Sequence, residues 1–104
     1  MRIGKAYGMV KYIDENISDD LSYKSIAHEF HMSEKSLYKF FKQETGFTLS
    51  KYIRERRIIK AKSLLNTGMS AGEVARAVGF QDYSVFYRNF LKEDGIPPTE
   101  YTRK

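Results

Sequence analysis

The stretch LYKFFKQETG, residues 37–46, has a second version in the same chain, FYRNFLKEDG, residues 86–95. Both contain an apolar residue, Tyr, a cation, any residue and Phe, followed by a polar run that ends in Gly. The segments just before them also match, with IAHEFHMS at 26–33 beside VARAVGFQD at 74–82. A pattern that occurs twice at this length predicts two similar small modules in one chain.

Apolar residues recur at helical spacing throughout the sequence, and no alternating strand pattern competes with them. The sequence therefore predicts an all-α fold, beginning with a helix over 3–17. Residues that commonly begin or end helices mark the other boundaries. Predicted N-caps are Ser22, Ser33, Thr48, Ser70 (in a capping box with Glu73) and Asp82; predicted helix ends are Gly46, Asn66–Gly68 and Gly95.

We predict one domain over 1–104 with subdomains at 1–48 and 67–104, joined by a long linker helix at 49–66. A helix of that length is about 27 Å long. It could separate the equivalent helices of the two subdomains by about 34 Å, one turn of B-DNA. Two such helices could then lie in successive major grooves of one duplex.

Each module contains two helices joined by a short turn, with a small residue, Ala27 or Ala75, where the helices cross. This arrangement is typical of a helix-turn-helix. The second turn has Gly79 at its last position, where the first has His31. We therefore expect the first turn either to be distorted or to hold His31 in a left-handed conformation.

The helix that follows each turn presents a polar outward face that could bind DNA. Long donors and hydroxyls projecting from a rigid helix are what base edges and phosphates require, and Arg88 could bind guanine O6 and N7 together. The outward positions of the first helix are Lys35, Tyr38, Lys39 and Lys42; the matching positions of the second are Ser84, Tyr87, Arg88 and Leu91.

Charge and composition restrict the partner and the compartment. The chain has 18 Lys and Arg against 13 Asp and Glu, a net charge of +5, which favours an anionic partner such as nucleic acid, an acidic protein or a membrane surface. Cysteine is absent, so disulfides and thiolate chemistry are excluded, and a cytoplasmic location is expected. No apolar run reaches the length of a membrane span.

We expect no enzymatic activity, no cofactor and no metal. The sequence has no nucleophile–base pair, no paired carboxylates and no phosphate-binding Gly loop. His28 and His31 have a spacing that zinc ligands can have, but no third ligand accompanies them. We interpret them as a surface His and a turn His.

Nearly the whole chain resembles the DNA-binding domain of the AraC/XylS family of transcriptional regulators. The second half carries the more specific motifs, A-x-x-x-G-F, F-x-x-x-F and G-x-x-P-x-x-Y, in SAGEVARAVGFQDYSVFYRNFLKEDGIPPTEY at 70–101. The resemblance implies seven helices, two helix-turn-helix modules and promoter binding in the major groove. Leu91 stands where the family usually has Lys, which removes one expected backbone contact.

The resemblance also implies residue roles. Arg54 and Arg56 would contact phosphates, and we expect the same of Ser33, Lys42 and Gln81. Base-facing roles fall on Lys35, Tyr38 and Lys39 in the first module and on Tyr83, Ser84, Tyr87 and Arg88 in the second.

Each of these residues also has a simpler interpretation. Tyr38 and Tyr87 could lie over the edge of the core, and Tyr83 could be partly a core residue. The face with Lys35, Lys39 and Lys42 could be ordinary solvated surface, and Arg54 and Arg56 could equally be solvated surface charges. Arg57 is expected to form a structural ion pair. A helical protein-interaction module that docks on an acidic partner is the alternative function.

The leading interpretation is a sequence-specific, double-stranded-DNA-binding transcription regulator. We expect the chain to be the C-terminal part of a longer protein with a sensor or receiver domain. The expected partners are promoter DNA and RNA polymerase, with no membrane. We expect the fragment to be monomeric and the longer protein to be capable of dimerising.

Overall fold

In the computed structural model, which describes residues 2–103 and the side chains of 4–101, the protein is all-helical and this part of the chain contains no strand. The expected all-α fold is confirmed, with six α-helices and a terminal 3₁₀ helix. The elements are α1 (Arg2–Glu15), α2 (Tyr23–Glu29), α3 (Glu34–Thr45), α4 (Leu49–Leu65), α5 (Ala71–Ala77), α6 (Tyr83–Asp94) and the 3₁₀ helix (Pro98–Arg103).

Local hydrogen bonds explain why these helices begin where they do. The side chains of Ser22 and Ser33 accept from the backbone N–H groups of Ser25 and Ser36, at 3.1 Å in both cases. Ser70 and Glu73 form the predicted reciprocal capping box. Each bond supplies a partner to a backbone N–H group that the first turn of a helix leaves unpaired.

The helix predicted over 3–17 ends earlier, at Glu15. The side-chain amide of Asn16 donates to the carbonyl of Tyr12 at 2.8 Å, and the backbone then turns. Ile17 is nevertheless 8% exposed. The periodicity was therefore correct about its burial, although the turn, not the helix, carries Ile17 into the core.

The contacts divide the chain into two compact units, residues 1–53 and 54–104, and the boundary lies within α4. In the first unit, α3 packs against both α1 and α2. Its core consists of Met9, Ile13, Ile17, Leu21, Ile26, Ala27, Leu37, Phe41, Leu49 and Ile53.

In the second unit, α6 packs against α5 and against the 3₁₀ helix. The aromatic ring of Tyr101 lies edge-on to Phe90, with 5.7 Å between centroids, so the 3₁₀ helix closes one side of this core. The buried residues are Ile58, Ala61, Leu65, Val74, Ala75, Val78, Phe86 and Phe90.

The turns that precede α3 and α6 have the same backbone structure. The N–H of Met32 donates to the carbonyl of Ala27, and the N–H of Phe80 donates to that of Ala75, both at 2.9 Å. A residue with positive φ makes this reversal possible. It is Gly79 in the second turn (φ 97°) and His31 in the first (φ 56°). Of the two alternatives expected for the first turn, the left-handed His is therefore the one observed.

A backbone of this kind disfavours a side chain at position 31 because Cβ approaches the following carbonyl oxygen. We predict that His31→Gly raises the free energy of unfolding by about 1 kcal/mol, the order of cost of one left-handed non-glycine residue. Urea denaturation followed by circular dichroism measures this change.

Gly79→Ala is the matched variant, because it adds a Cβ at the equivalent position of the second turn. It should destabilise the protein by about 1 kcal/mol or more. If His31→Gly lowers the free energy of unfolding, the contacts of the His31 side chain stabilise the protein by more than its left-handed backbone destabilises it.

Candidate nucleic-acid interface

The first candidate surface lies on α3 and is fixed in place by residues on the opposite side of that helix. Leu37 and Phe41 are both fully buried, so α3 cannot rotate about its axis without exposing them. The four predicted outward residues lie on the solvent side. They are Lys35, Tyr38, Lys39 and Lys42, all exposed.

Tyr38 combines an exposed side chain with a packing contact. It is 43% exposed, and its ring centroid lies 6.2 Å from that of Tyr23 at the start of α2. Tyr38 was predicted either to lie over the edge of the core or to belong to the outward face, and each prediction describes part of its environment. A ring held by a neighbour presents its hydroxyl at a more restricted position than a free side chain would.

The second surface lies on α6 and is anchored in the same way. Phe86 and Phe90 are fully buried, with 5.8 Å between their ring centroids. Ser84 and Arg88 are exposed, whereas Tyr87 is half-buried. The structure thus brings the predicted base-facing residues together in two groups, one on each helix that follows a turn.

Tyr83 occupies the first turn of α6 and contacts the core through its ring. The ring centroid lies 5.9 Å from that of Phe86 and 6.3 Å from that of Tyr87, and the side chain is 40% exposed. Tyr83 therefore packs its ring against the core residue Phe86 while the side chain stays exposed. It also supports Tyr87 on the outward side.

The start of α6 carries a fixed negative charge. The carboxylate of Asp82 accepts from the hydroxyl of Ser84 at 2.6 Å and from its backbone N–H at 2.9 Å. These hydrogen bonds, together with the Arg88 charge nearby, hold the pKa of Asp82 below its ordinary value. The carboxylate orients the Ser84 hydroxyl, whose oxygen can still accept a hydrogen bond.

The predicted phosphate contacts have different environments. Ser33, Lys42 and Gln81 are exposed, whereas Arg54 and Arg56 on α4 are half-buried. The hydroxyl oxygen of Ser33 is the N-cap acceptor of α3. These five assignments stay predictions.

Arg54 has an acidic neighbour that the sequence did not suggest. Its Nε lies 4.0 Å from Glu93 Oε1, and both belong to the second unit. Near α6, Lys62 Nζ also lies 2.6 Å from Asp94 Oδ1. These ion pairs join α4 to the end of α6, and no local pattern indicates them because each pair combines residues distant in sequence.

Arg57 was expected to form a structural ion pair. Its guanidinium lies 5.8 Å from the ring centroid of Phe80, the residue that follows the second turn. This cation–π contact gives Arg57 a structural position within the second unit.

Among the described residues, no group of three or more His, Cys, Asp or Glu side chains could hold a metal ion. None of the helices in this part of the chain is both long and apolar enough to cross a membrane.

Comparison with known proteins places this arrangement in a family. Residues 26–104 match the family model of a helix-turn-helix domain. The chain is similar to a transcriptional regulator from Chromobacterium violaceum, described as an AraC-type DNA-binding domain-containing protein. Identity is 31% and the TM-score is 0.85, over 96% of this chain and 90% of that one. The chain belongs to the AraC/XylS family.

Two further relatives show how this AraC-type chain compares in length and fold. The transcriptional activator RhaS of Enterobacter sp. is 30% identical over 93 residues, which cover 88% of this chain and 34% of RhaS. The chain thus spans about a third of the length of that curated relative. The DNA-binding domain of AdpA, solved in complex with a target DNA, has the same fold. Its TM-score is 0.89 at 23% identity, over 94% of this chain and 89% of that one.

The Asp82 cap of this AraC-type domain predicts a specific pH dependence. A carboxylate whose pKa is lower in the folded state than in the unfolded state stabilises the folded state at any pH above the unfolded-state pKa. This stabilisation is lost as pH falls through the folded-state pKa. We expect the stability difference between wild type and Asp82→Asn to be constant from pH 7 to pH 5. It should change progressively as pH falls from about 5 through the ordinary carboxyl pKa of 3.8 and on through the lower pKa of the folded state.

Denaturation midpoints measured across this range test the prediction. Glu100→Gln, which neutralises an exposed carboxylate on the 3₁₀ helix, is the control for a general charge effect. If the stability difference between Glu100→Gln and wild type varies with pH in the same way, the pH dependence seen with Asp82→Asn does not come from the N-cap.

Proposed function

We propose that this chain is a sequence-specific, double-stranded-DNA-binding module of a transcription regulator, with α3 and α6 as its two recognition helices. The observation that carries this proposal is the repeated geometry. In both units, the turn between two helices has the same backbone structure and leads into α3 or α6. The apolar side of that helix is buried, and the side that carries hydrogen-bond donors is exposed. A helix that enters the major groove needs both properties.

Within this proposal, the exposed residues of each helix have different tasks. Lys35, Tyr38 and Lys39 contact bases from α3, and Lys42 neutralises a phosphate. On α6, Arg88 binds a guanine edge through two parallel hydrogen bonds, which its planar guanidinium allows and a lysine does not. Tyr83, Ser84 and Tyr87 complete that surface.

The relatives support the same proposal. RhaS is named a transcriptional activator, and the AdpA domain was solved with a target DNA. The net charge of +5 favours a polyanionic partner. We include contact with RNA polymerase, a monomeric state of this part and a cytoplasmic location in the proposal, and we propose that the chain itself catalyses no reaction.

Selection of bound sequences from a random duplex pool at near-physiological salt tests the function directly. We expect two short motifs whose centres lie about 10 base pairs apart, because each recognition helix would read its own major groove. One motif would mean that a single module reads bases. No enrichment, with binding that disappears as salt rises, would contradict sequence-specific recognition and favour the protein-docking alternative.

Arg88→Ala should weaken binding to the selected site by about 1–3 kcal/mol and relax the preference at one base pair. Lys60→Ala is the matched control, because Lys60 is an exposed cation of α4 outside the predicted surfaces and its removal lowers the net charge equally. Fluorescence anisotropy with the selected site and its single-base variants measures the affinity and the base preference of both protein variants. A loss of equal size on every sequence would make Arg88 a phosphate contact.

A further inference from the structure

The outward faces of the two recognition helices differ in chemistry although their backbones match. The α3 face carries three cations, at Lys35, Lys39 and Lys42. At the equivalent positions the α6 face carries Ser84, Arg88 and Leu91, so it has one cation, one hydroxyl and one aliphatic side chain. The two faces therefore suit different features of a major groove.

Leu91 is the residue that distinguishes α6 most clearly. Its side chain is 39% exposed on a helix whose apolar side, with Phe86 and Phe90, is fully buried. It lies one helical turn after Tyr87, on the side of Arg88. Leu91 is therefore an exposed aliphatic side chain on the same side of α6 as Tyr87 and Arg88, outside the core of the second unit.

The aromatic residues beside Leu91 are supported from below. Tyr87 is half-buried and its ring lies next to that of Tyr83, which in turn contacts the buried Phe86. The Ser84 hydroxyl donates its hydrogen bond to Asp82. Among the outward residues of α6, Arg88 is therefore the long, flexible side chain that can donate hydrogen bonds to a base. The apolar part of this face is thus held on a rigid support.

We propose that α6 reads thymine: Leu91, with the edge of the Tyr87 ring, contacts the C5 methyl group of a thymine adjacent to the base pair that Arg88 binds. This inference rests on the proposed function. The thymine methyl is the apolar group that base pairs present in the major groove, and aliphatic or aromatic side chains are its usual partners. Burial of one such group accounts for about a fourfold gain in affinity.

Because the α3 face carries three cations and the α6 face one, we expect the salt dependence of binding to come mainly from α3. Each phosphate neutralised by a cation adds about 0.9 to the slope of log affinity against log salt concentration. Lys42 can supply such a contact, whereas Leu91 at the matching position cannot. The α3 half of the site should therefore account for more of the slope than the α6 half.

Replacement of thymine by deoxyuridine in the selected site tests the inference, because it removes the C5 methyl group and leaves the base-pairing hydrogen bonds intact. We expect about fourfold weaker binding at one position in the motif assigned to α6. Leu91→Ala should distinguish the thymine and deoxyuridine sites less than the wild type does, because only the Tyr87 ring edge and a single methyl group remain beside the C5 position. Lys42→Ala, the matched variant on α3, should keep the discrimination and lower the salt slope by about 1.

Leu91→Lys gives an independent measurement. It should lose the thymine preference and raise the salt slope by about 1, because a cation is restored at the position equivalent to Lys42. Leu91 is partly exposed, and a thermal melt would verify that each variant is folded.

Two results would overturn the inference while the proposed function stands. One is sequence-specific binding that is insensitive to deoxyuridine in the α6 motif. The other is a sensitivity that persists unchanged in Leu91→Ala. Failure to enrich any sequence would instead overturn the proposed function itself, so the two failures are distinguishable.

Discussion

The reversal of the chain between the two helices of each unit is the constraint on which the rest depends. In both turns the backbone N–H that follows the reversal bonds back to an alanine carbonyl at 2.9 Å, and this bond requires a residue with positive φ just before it. Ala27 and Ala75 are both almost fully buried, where a larger side chain would separate the helices. The direction in which α3 and α6 leave their turns follows from this geometry.

Burial then decides which side of α3 and which side of α6 faces solvent. Phe41 on α3 and Phe90 on α6 occupy matching positions and are fully buried. Because helical side chains three and four residues apart share a face, fixing these two rings also fixes the side that carries Lys39 or Arg88. Surface chemistry can therefore differ between the units while the supporting core stays the same.

The difference between the surfaces is the property through which one chain could read two unlike half-sites. A face with several cations obtains affinity from phosphates and loses it with salt, whereas a face with one arginine, a hydroxyl and an aliphatic side chain obtains specificity from base edges. The start of α6 has the Asp82 carboxylate as its N-cap, whereas α3 has the neutral Ser33 as its cap and an acidic residue, Glu34, in its first turn. The two helices are thus similar supports with different electrostatics.

Much of the fold and of the candidate surfaces could be predicted from sequence, because the forces involved act over short distances along the chain. The caps at Ser22, Ser33 and Asp82 reach only two or three residues ahead, and helical period alone placed Lys39 and Arg88 on outward faces. The position of Gly79 in the second turn likewise indicated that the first turn would either be distorted or hold His31 in a left-handed conformation.

Tertiary structure decided the environment of residues whose partners lie far away in sequence. Arg54 lies beside Glu93 and Lys62 beside Asp94, while Arg57 lies over Phe80 and Tyr38 beside Tyr23. Such contacts depend on how helices pack, and a long flexible side chain can reach several alternative partners until packing selects one. The sequence alone determined which side chains face outward; only the folded units determined which of them are held by a neighbour.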